Sequence, residues 1–333
     1  MELVAPAQFV LWGINTKIIS VLIPIVALVA FGVIIKRRMA PLLLAAGDAR
    51  FSRWGERLAK VISLWLIQVK QPRYMAAGLL HLAIFFGFLV LSLRSTSLVV
   101  IGFASDFHLP FLTGGLGAVY NVCKDYAATV VLVACVIAAY RRGIIKPARY
   151  AVPPQYGKDH TAEAVFVLAI ISILMVSESL FEASAIAAAP AGAHWVAPLS
   201  LVWLFAGLLH GVSGDVLQGL HIASYYVHDL VFFFFLCYLP FGKHFHVLTS
   251  LFNVLFMRLD KGVVKPVQYG LSDEQIGDLE SIGVKKIEDF TWKHLLDFYS
   301  CADCGRCSDQ CPAATVKRPL SPRFITIKAR DLL

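Results

Sequence analysis

The sequence predicts an all-α membrane protein, in which a bundle of five transmembrane helices is followed by a polar C-terminal segment. Of its 333 residues, 58% are apolar and only 16% are charged. The mean hydropathy of +0.70 lies far outside the range of soluble globular domains. The formal net charge of +8 follows from membrane topology and favours contact with anionic lipid head groups; it does not indicate nucleic-acid binding.

Five apolar runs are each long enough to cross a hydrocarbon core of about 30 Å. They cover residues 14–35, 76–100, 118–140, 162–188 and 215–242. A sixth run, 195–211, is shorter and contains Pro198, so we expect a re-entrant or surface-lying segment there. No basic stretch or small-residue cleavage site precedes the first run, which is therefore predicted to be a retained span and not a removed signal.

The distribution of Lys and Arg predicts the orientation of these spans. Nine of these residues fall within 36–73 and five within 141–158, whereas three other segments have none: 1–16, 95–116 and 190–214. Basic loops tend to stay on the cytoplasmic side of a membrane. We therefore expect a multi-pass protein of the bacterial inner (cytoplasmic) membrane, with its N-terminus outside and its C-terminus in the cytoplasm.

The chain changes character after the last span. We predict a membrane domain at 1–255, a cytoplasmic connector at 256–297 and a third domain at 298–333. The connector mixes charged and apolar residues, and short helices are predicted in it at 272–281 and 291–299.

The third domain contains four cysteines in the spacing C-x2-C-x2-C-x3-C-P, which is that of bacterial ferredoxin cluster loops. They are Cys301, Cys304, Cys307 and Cys311. A tight loop with a cysteine at every third residue can bring successive thiolates to neighbouring iron atoms of a 4Fe-4S cluster. A zinc site usually takes two separated cysteine pairs, and a cytoplasmic face disfavours disulfides. The motif therefore predicts a ferredoxin-type segment, which we call the cysteine run.

The cysteine run lacks the partner that two-cluster ferredoxins supply. In those proteins the fourth cysteine ligates the other cluster. The remaining cysteines, Cys123, Cys135 and Cys237, lie in predicted spans, where we expect small core residues. Either Cys311 completes a single cluster, or the sequence stops before a second run. The ending SPRFITIKARDLL, partway into a predicted helix, favours a truncated ferredoxin domain.

Histidines at the membrane edges predict a second cofactor. His228 and His246 are 18 residues apart, which in one continuous helix corresponds to five turns and about 27 Å of rise on a shared face. His244 is a further candidate ligand on another face. His81, early in the second span, lies at a depth comparable to that of His246, and two such histidines from different helices are what bis-imidazole haem ligation requires. Alternatively, His244 and His246 are interfacial residues and His81 makes a helix-to-helix hydrogen bond.

Two parts of the sequence resemble known families. Five spans, an early histidine in the second span and the pattern H-x11-P-x5-H in the last resemble the cytochrome b (gamma) subunit of respiratory nitrate reductase. The segment DFTWKHLLDFYSCADCGRCSDQCPAA, followed by KRPLSPR, is similar to membrane-bound iron–sulfur oxidoreductases related to heterodisulfide reductase. More narrowly, it resembles the electron-transfer-flavoprotein:menaquinone oxidoreductases. The similarity covers essentially the whole chain.

The resemblance to the gamma subunit implies one or two b haems. His81, His228 and His246 match three of its ligand positions, but the fourth position is Leu91 here. An inner haem on His81 and His246 would therefore have both ligands, whereas an outer haem on His228 would lack its expected partner. His210 is the nearest substitute.

The resemblance also implies a quinone-linked oxidoreductase. Electrons from a soluble donor, by resemblance an electron-transfer flavoprotein, would enter the iron–sulfur segment, pass to haem b and reduce menaquinone. In the reverse direction, a quinol-oxidising haem subunit would deliver electrons to a cytoplasmic partner that resembles a heterodisulfide reductase subunit. A non-catalytic haem-binding membrane subunit would explain the histidines without turnover. A transporter would explain the spans but not the cysteines.

Quinone chemistry also requires groups that carry protons. Glu178 and Glu182, one turn apart near the outer end of the fourth span, and Asp229 beside His228 are candidates, because ionisable groups inside a span are often functional. Carboxylates near a helix end are alternatively interfacial residues.

Overall fold

The computed structural model describes residues 3–152, 159–190, 192–260, 272–278, 284–316, 318 and 320–333. Within these ranges the regular secondary structure is helical apart from a short ladder of Val10–Leu11 with Ile14–Asn15 and an isolated bridge between Ala46 and Thr291. In chain order the helices up to residue 238 are α1 (Lys17–Leu44), α2 (Trp54–Lys60), α3 (Met75–Ile101), α4 (Gly114–Tyr140), α5 (Thr161–Ala188), α6 (Leu201–Leu208) and α7 (Gly214–Tyr238). The later helices are α8 (His246–Leu255), α9 (Asp273–Gly277), α10 (Trp292–Tyr299), α11 (Arg306–Asp309), α12 (Pro312–Thr315) and α13 (Pro322–Leu332).

The prediction of five membrane spans is confirmed. Among the described residues, five helices are long and apolar enough to cross a membrane, and they contain α1, α3, α4, α5 and α7. The sixth apolar run forms α6, which has eight residues and is too short to cross. It begins at the cap residue Ser200, whose Oγ accepts a hydrogen bond from the Trp203 amide at 3.1 Å.

The prediction of one continuous helix from His228 to His246 is wrong. The last span, α7, ends at Tyr238, and a separate helix, α8, begins at His246. Between them lies a 3-10 turn, Lys243–Phe245. Pro240 accounts for the break, because proline has no amide hydrogen to donate and disfavours a helical conformation of the residue before it. The two histidines therefore do not share the face of one helix.

The chain forms two compact units. The first unit comprises Met1–Val33 and Lys70–Tyr238, and the second comprises Ile34–Val69 and Leu239–Leu333. The end of α1 and all of α2 belong to the same unit as the cysteine run. The domain boundaries at 255/256 and 297/298 stay a prediction.

The first unit is a bundle of long helices. In it α5 packs along α7 and α4, α3 packs along α4, and α6 packs against α5. Its main core contains Leu91, Ala128, Val131, Cys135, Leu174, Met175 and Leu201. Of the three cysteines expected in the core, Cys135 is buried as predicted and Cys237 is half-buried, whereas the prediction is wrong for the exposed Cys123.

The second unit is assembled from short helices. In it α10 packs against α8 and α13, and α8 packs against the turn Val61–Leu66. Its core contains Phe245, Leu295, Leu296, Tyr299, Phe324 and Ile327. The predicted helix at 291–299 is confirmed as α10, which begins at the cap residue Thr291. The predicted helix at 272–281 is shorter, since α9 ends at Gly277; residues 279–281 lie outside the described residues.

Candidate functional sites

The cysteine run lies on a loop that connects α10 to three short helices. Cys301 and Cys304 precede α11, Cys307 lies in it, and Cys311 caps the N-terminus of α12. All four are free thiols. The donor set and its order suit an iron–sulfur cluster. Among the described residues, however, no three His, Cys, Asp or Glu side chains converge as metal ligands would.

Two left-handed residues shape this loop. Asp303 has φ 51° and Gly305 has φ 77°, so Cys304 lies between two residues in the left-handed conformation. Gly adopts this conformation at little cost, and Asp tolerates it better than most residues do. Burial raises the pKa of the Cys301 and Cys307 thiols. Metal binding would have to remove these protons, so loading is expected to be pH-dependent.

Two arginines of α13 contact the loop. The Nε of Arg323 donates to Oδ1 of Asp303 at 2.6 Å, and the two side chains are 3% and 0% exposed. The Nη1 of Arg330 donates to the Cys301 carbonyl at 3.2 Å. The last helix therefore holds the loop at two points.

His228 lies inside the first unit, where its two ring nitrogens face different helices. Nδ1 is 3.2 Å from the carbonyl of Leu174 on α5, and it must donate there because a carbonyl only accepts. Nε2 is 3.4 Å from Oγ of Ser95 on α3. The hydroxyl of Ser177 is 3.4 Å from Nδ1. The imidazole is thus one member of a buried polar network.

These contacts do not fit an outer haem on His228. The ring nitrogen left to ligate iron is Nε2, and Ser95 of α3 already stands against it. Leu91, at the fourth ligand position, is buried in the apolar core. His210 is exposed in the turn after α6, whereas His228 is 3% exposed.

The inner candidates belong to different compact units. His81 is on α3 in the first unit, where its ring stacks on Phe85. His246 begins α8 in the second unit, and its Nδ1 donates to the Lys243 carbonyl at 2.6 Å. That bond leaves the lone pair of a neutral ring on Nε2, which suits an axial ligand. His244 lies in the preceding 3-10 turn.

Glycines of the second span do not provide open space beside His81. A Cβ at Gly78 would lie 2.1 Å from the Gln71 carbonyl oxygen, and one at Gly87 would lie 2.2 Å from a Val131 methyl group. Both glycines allow close approach of protein atoms, so these two positions are used for packing.

Glu178 and Glu182 are part of a buried ionic cluster in the first unit. Arg94 of α3 binds Glu178 at 2.9 Å, and Lys124 of α4 lies 3.5 Å from Glu178 and contacts Glu182. Asp125 lies 2.9 Å from Lys124. Three carboxylates and two cations from α3, α4 and α5 therefore meet inside the helix bundle. We call this set of five side chains the ionic cluster.

Sequence reasoning missed the cationic half of the ionic cluster. Arg94 and Lys124 lie within predicted apolar runs 76–100 and 118–140. A lone cation in a span is costly unless it has a partner, and this signal could have identified both. The identity of the partners required the packing of three helices.

Asp229 differs from the two glutamates. It is 2% exposed, and neither of its carboxylate oxygens accepts a hydrogen bond from the described residues. Tyr225, one turn earlier on α7, is 1% exposed. An open pocket of about 400 Å³ lies between α5 and α7. It is lined by Ser172, Ile173, Val176, Ser177, Leu180, Leu220, Ala223, Ser224 and Val227, and Asp229 is not among these residues.

Comparison with known proteins adds three similar chains. The chain is 28% identical over 96% of its length to "Probable iron-sulfur-binding oxidoreductase FadF" of Bacillus subtilis. It is 28% identical over 86% of its length to "EtfAB:quinone oxidoreductase" of Syntrophomonas wolfei. A stretch of 55 residues, 16% of the chain, is 44% identical to part of "Probable membrane-anchored ferredoxin" of Chromohalobacter salexigens and covers 8% of that protein.

The chain spans less than half the length of these curated relatives. It covers 43% of the Bacillus protein and 39% of the Syntrophomonas protein. No family model and no solved structure matches it.

Proposed function

We propose that this chain is a membrane electron-transfer oxidoreductase that links an iron–sulfur cluster on Cys301, Cys304, Cys307 and Cys311 to quinone in the membrane. The observation that carries the proposal is the presence, in one chain, of a ferredoxin-type cysteine run and five helices able to cross a membrane. The names of the relatives, an iron–sulfur-binding oxidoreductase and an EtfAB:quinone oxidoreductase, support the same chemistry. When bound, such a cluster supplies one-electron transfer.

The proposed donor is an electron-transfer flavoprotein and the proposed acceptor is menaquinone. The name of the Syntrophomonas relative supports both an electron-transfer flavoprotein and a quinone as partners. The lysine and arginine distribution supports an outside N-terminus and a cytoplasmic cysteine run. Reporter fusions at residues 105 and 155 test the orientation, and a cytoplasmic signal at 105 would overturn it.

A matched pair of cysteine variants tests the cluster. The detergent-purified chain is reduced with dithionite, and its iron–sulfur signal is recorded by low-temperature electron paramagnetic resonance. Cys304→Ser should abolish the signal, because it removes a ligand. Cys123→Ser, which changes an exposed cysteine outside the run, should retain it. Addition of menadione should reoxidise the cluster in the parent chain; absence of any cluster, or no reaction with menadione, contradicts the proposal.

We propose one haem b, with His81 and His246 as axial ligands. The two histidines lie in different compact units, so their pairing rests on the sequence pattern and on the Nδ1 contact of His246. His81→Ala and His246→Ala should each remove the same b-type absorbance band, whereas His228→Ala should leave that band in place. Loss of the band in His228→Ala with retention in His246→Ala would refute this assignment.

The proposed quinone position is the cavity between α5 and α7. Its walls are mostly apolar, as a prenyl chain requires, and its Ser177 hydroxyl contacts His228. Asp229 is the proposed proton carrier, because its carboxylate accepts no hydrogen bond from the described residues, whereas Glu178 and Glu182 are bound to cations.

A cavity-filling variant tests this position. Ala223→Leu should raise the KM for menadione as electron acceptor without changing the iron–sulfur signal. Val133→Leu, at an exposed position of α4, is the control. Equal KM values in the two variants would exclude the cavity as the quinone position.

A further inference from the structure

The cysteine run is contacted by charged groups that the function above does not use. Arg323 and Arg330 are seven residues apart on α13, which places them near one face of a helix with 3.6 residues per turn. Ile327, between them on that face, is buried together with both arginines. The side of α13 that faces the loop therefore presents two buried charged groups to it as well as an apolar side chain.

The pair of Arg323 with Asp303 is the most enclosed of these contacts. The Nε to Oδ1 distance is 2.6 Å, and the side chains are 3% and 0% exposed. An exposed ion pair contributes little to stability, but breaking a buried one leaves an uncompensated charge. The pair is therefore expected to hold Asp303 firmly in place.

Asp303 occupies a strained position within the run. Its φ of 51° lies in the left-handed region, which a non-glycine residue adopts only when surrounding contacts favour it. Asp303 directly precedes Cys304, and the Arg330 contact reaches the Cys301 carbonyl at 3.2 Å. Both arginine contacts thus act on the backbone that presents the first two cysteines of the run.

We propose that the buried Arg323–Asp303 pair is a neutral clamp that positions the cysteine loop and sets the reduction potential of the cluster bound there. The inference rests on the proposed cluster. Reduction adds one negative charge to an iron–sulfur cluster, and the free energy of that charge depends on nearby buried charges. With both partners present, the clamp adds no net charge beside the cysteines. Removal of either partner changes the net charge beside the cysteines by one unit.

This arrangement predicts shifts of opposite sign for the two halves of the clamp. Arg323→Gln removes a positive charge beside the cysteines, which disfavours the reduced cluster and lowers its midpoint potential. Asp303→Asn removes a negative charge there, which favours the reduced cluster and raises the potential. We expect at least a tenfold change in the ratio of reduced to oxidised cluster in each case, equivalent to about 59 mV for one electron.

Redox titration of the purified chain, followed by electron paramagnetic resonance, tests the proposal. Lys328→Gln is the matched control, since it removes the same charge from an exposed position of α13, where solvent screens the charge; its potential should stay near that of the parent. The double variant Arg323→Gln with Asp303→Asn should also return towards the parent potential, because the two substitutions together leave the net charge beside the cysteines as it is in the parent.

Each outcome decides between the clamp and a merely structural role. Shifts of the same sign in both single variants, or shifts no larger than that of Lys328→Gln, overturn the proposal. If both single variants lose the cluster, the double variant decides: a restored cluster supports the clamp, and a cluster that stays absent overturns it. A parent chain that binds no cluster refutes the proposed function instead, independently of the clamp.

Discussion

Lys124 in the first compact unit and Arg57 in the second are both buried cations, but their partners differ in kind. In the first unit, Lys124 is 1% exposed and is surrounded by carboxylates, among them Glu178 at 3.5 Å. In the second unit, Arg57 is 4% exposed, and its Nη1 donates to the carbonyls of Leu255 and Met257 at 2.9 and 3.0 Å. Lys124 is thus neutralised by side-chain anions, as Arg323 is by Asp303 in the second unit, whereas Arg57 binds backbone carbonyls at and just after the end of α8.

The difference follows from what surrounds each cation. Lys124 lies among long apolar helices, where a cation without a counter-charge is costly, so it has to be paired with carboxylates. Carbonyls at helix ends lack intrahelical partners, and a guanidinium can bind two of them at once. Removal of Lys124 should therefore cost more stability than removal of Arg57, and the weaker contacts of Ser200 and Asp48 should contribute less than either.

The largest effect is expected for Lys124→Met, which removes one of two cations facing three carboxylates. Loss of one partner from a buried ion pair costs about 3–5 kcal/mol, so the free energy of unfolding in mixed micelles should fall by that amount. Lys17→Met, at an exposed position at the start of α1, is the control and should change it by less than about 0.5 kcal/mol.

A double substitution sharpens this first prediction. Glu178→Gln should recover part of the stability lost in Lys124→Met, because it removes one of the carboxylates left unpaired. If Lys124→Met is as stable as Lys17→Met, the ionic cluster does not contribute to folding, and the comparison between the two cations fails.

Arg57→Ala is expected to have the next largest effect. It leaves two carbonyls at the end of α8 without a donor, and an unsatisfied buried polar group costs about 1–3 kcal/mol. Thermal unfolding followed by circular dichroism would measure the loss. Arg53→Ala removes a neighbouring arginine whose ion pairs are exposed, and it should leave the transition nearly unchanged. A loss for Arg57→Ala equal to that for Lys124→Met would show that the two kinds of burial are equivalent.

Ser200→Ala should have a smaller effect in the first unit. The Ser200 hydroxyl caps α6 by accepting from the Trp203 amide at 3.1 Å, and removal of such a cap costs about 1 kcal/mol. Ser200→Gly should cost only a few tenths of a kcal/mol, roughly as found for other helix caps. The same unfolding assay compares the two variants, and equal stability of Ser200→Ala and the parent would exclude the cap.

The smallest effect concerns acid stability of the second unit. The Arg50 hydrogen bond lowers the pKa of Asp48 from its usual 3.8, so the folded-state pKa lies below the unfolded-state value. The stabilisation is fully present above pH 3.8 and is lost as the pH falls through the lower folded-state value. Asp48→Asn should therefore reduce the slope of stability against pH in this acid range and leave the slope at neutral pH unchanged. An unchanged acid slope in the variant would contradict the assignment.

Local sequence determined the spans and the cysteine run. An apolar stretch of sufficient length forms a helix in lipid whatever its neighbours are, because its backbone groups must be satisfied internally. The spacing of Cys301 to Cys311 is likewise set by covalent chain geometry, so the run was recognisable without a structure. Pro240 ends the last span through a local effect on the backbone. The apolar run continues to residue 242, however, so hydropathy alone did not show that α7 ends at Tyr238.

Tertiary structure alone decided which buried charges meet. Arg94, Lys124 and Glu178 are on three different helices, and helical periodicity gives each residue a face but does not select the helix that packs against it. Asp303 and Arg323 are 20 residues apart in the sequence, and their contact likewise depends on how α13 packs against the cysteine run. Packing determines these partners because the pairwise contacts depend on helix azimuth and depth, which no single segment of the sequence specifies.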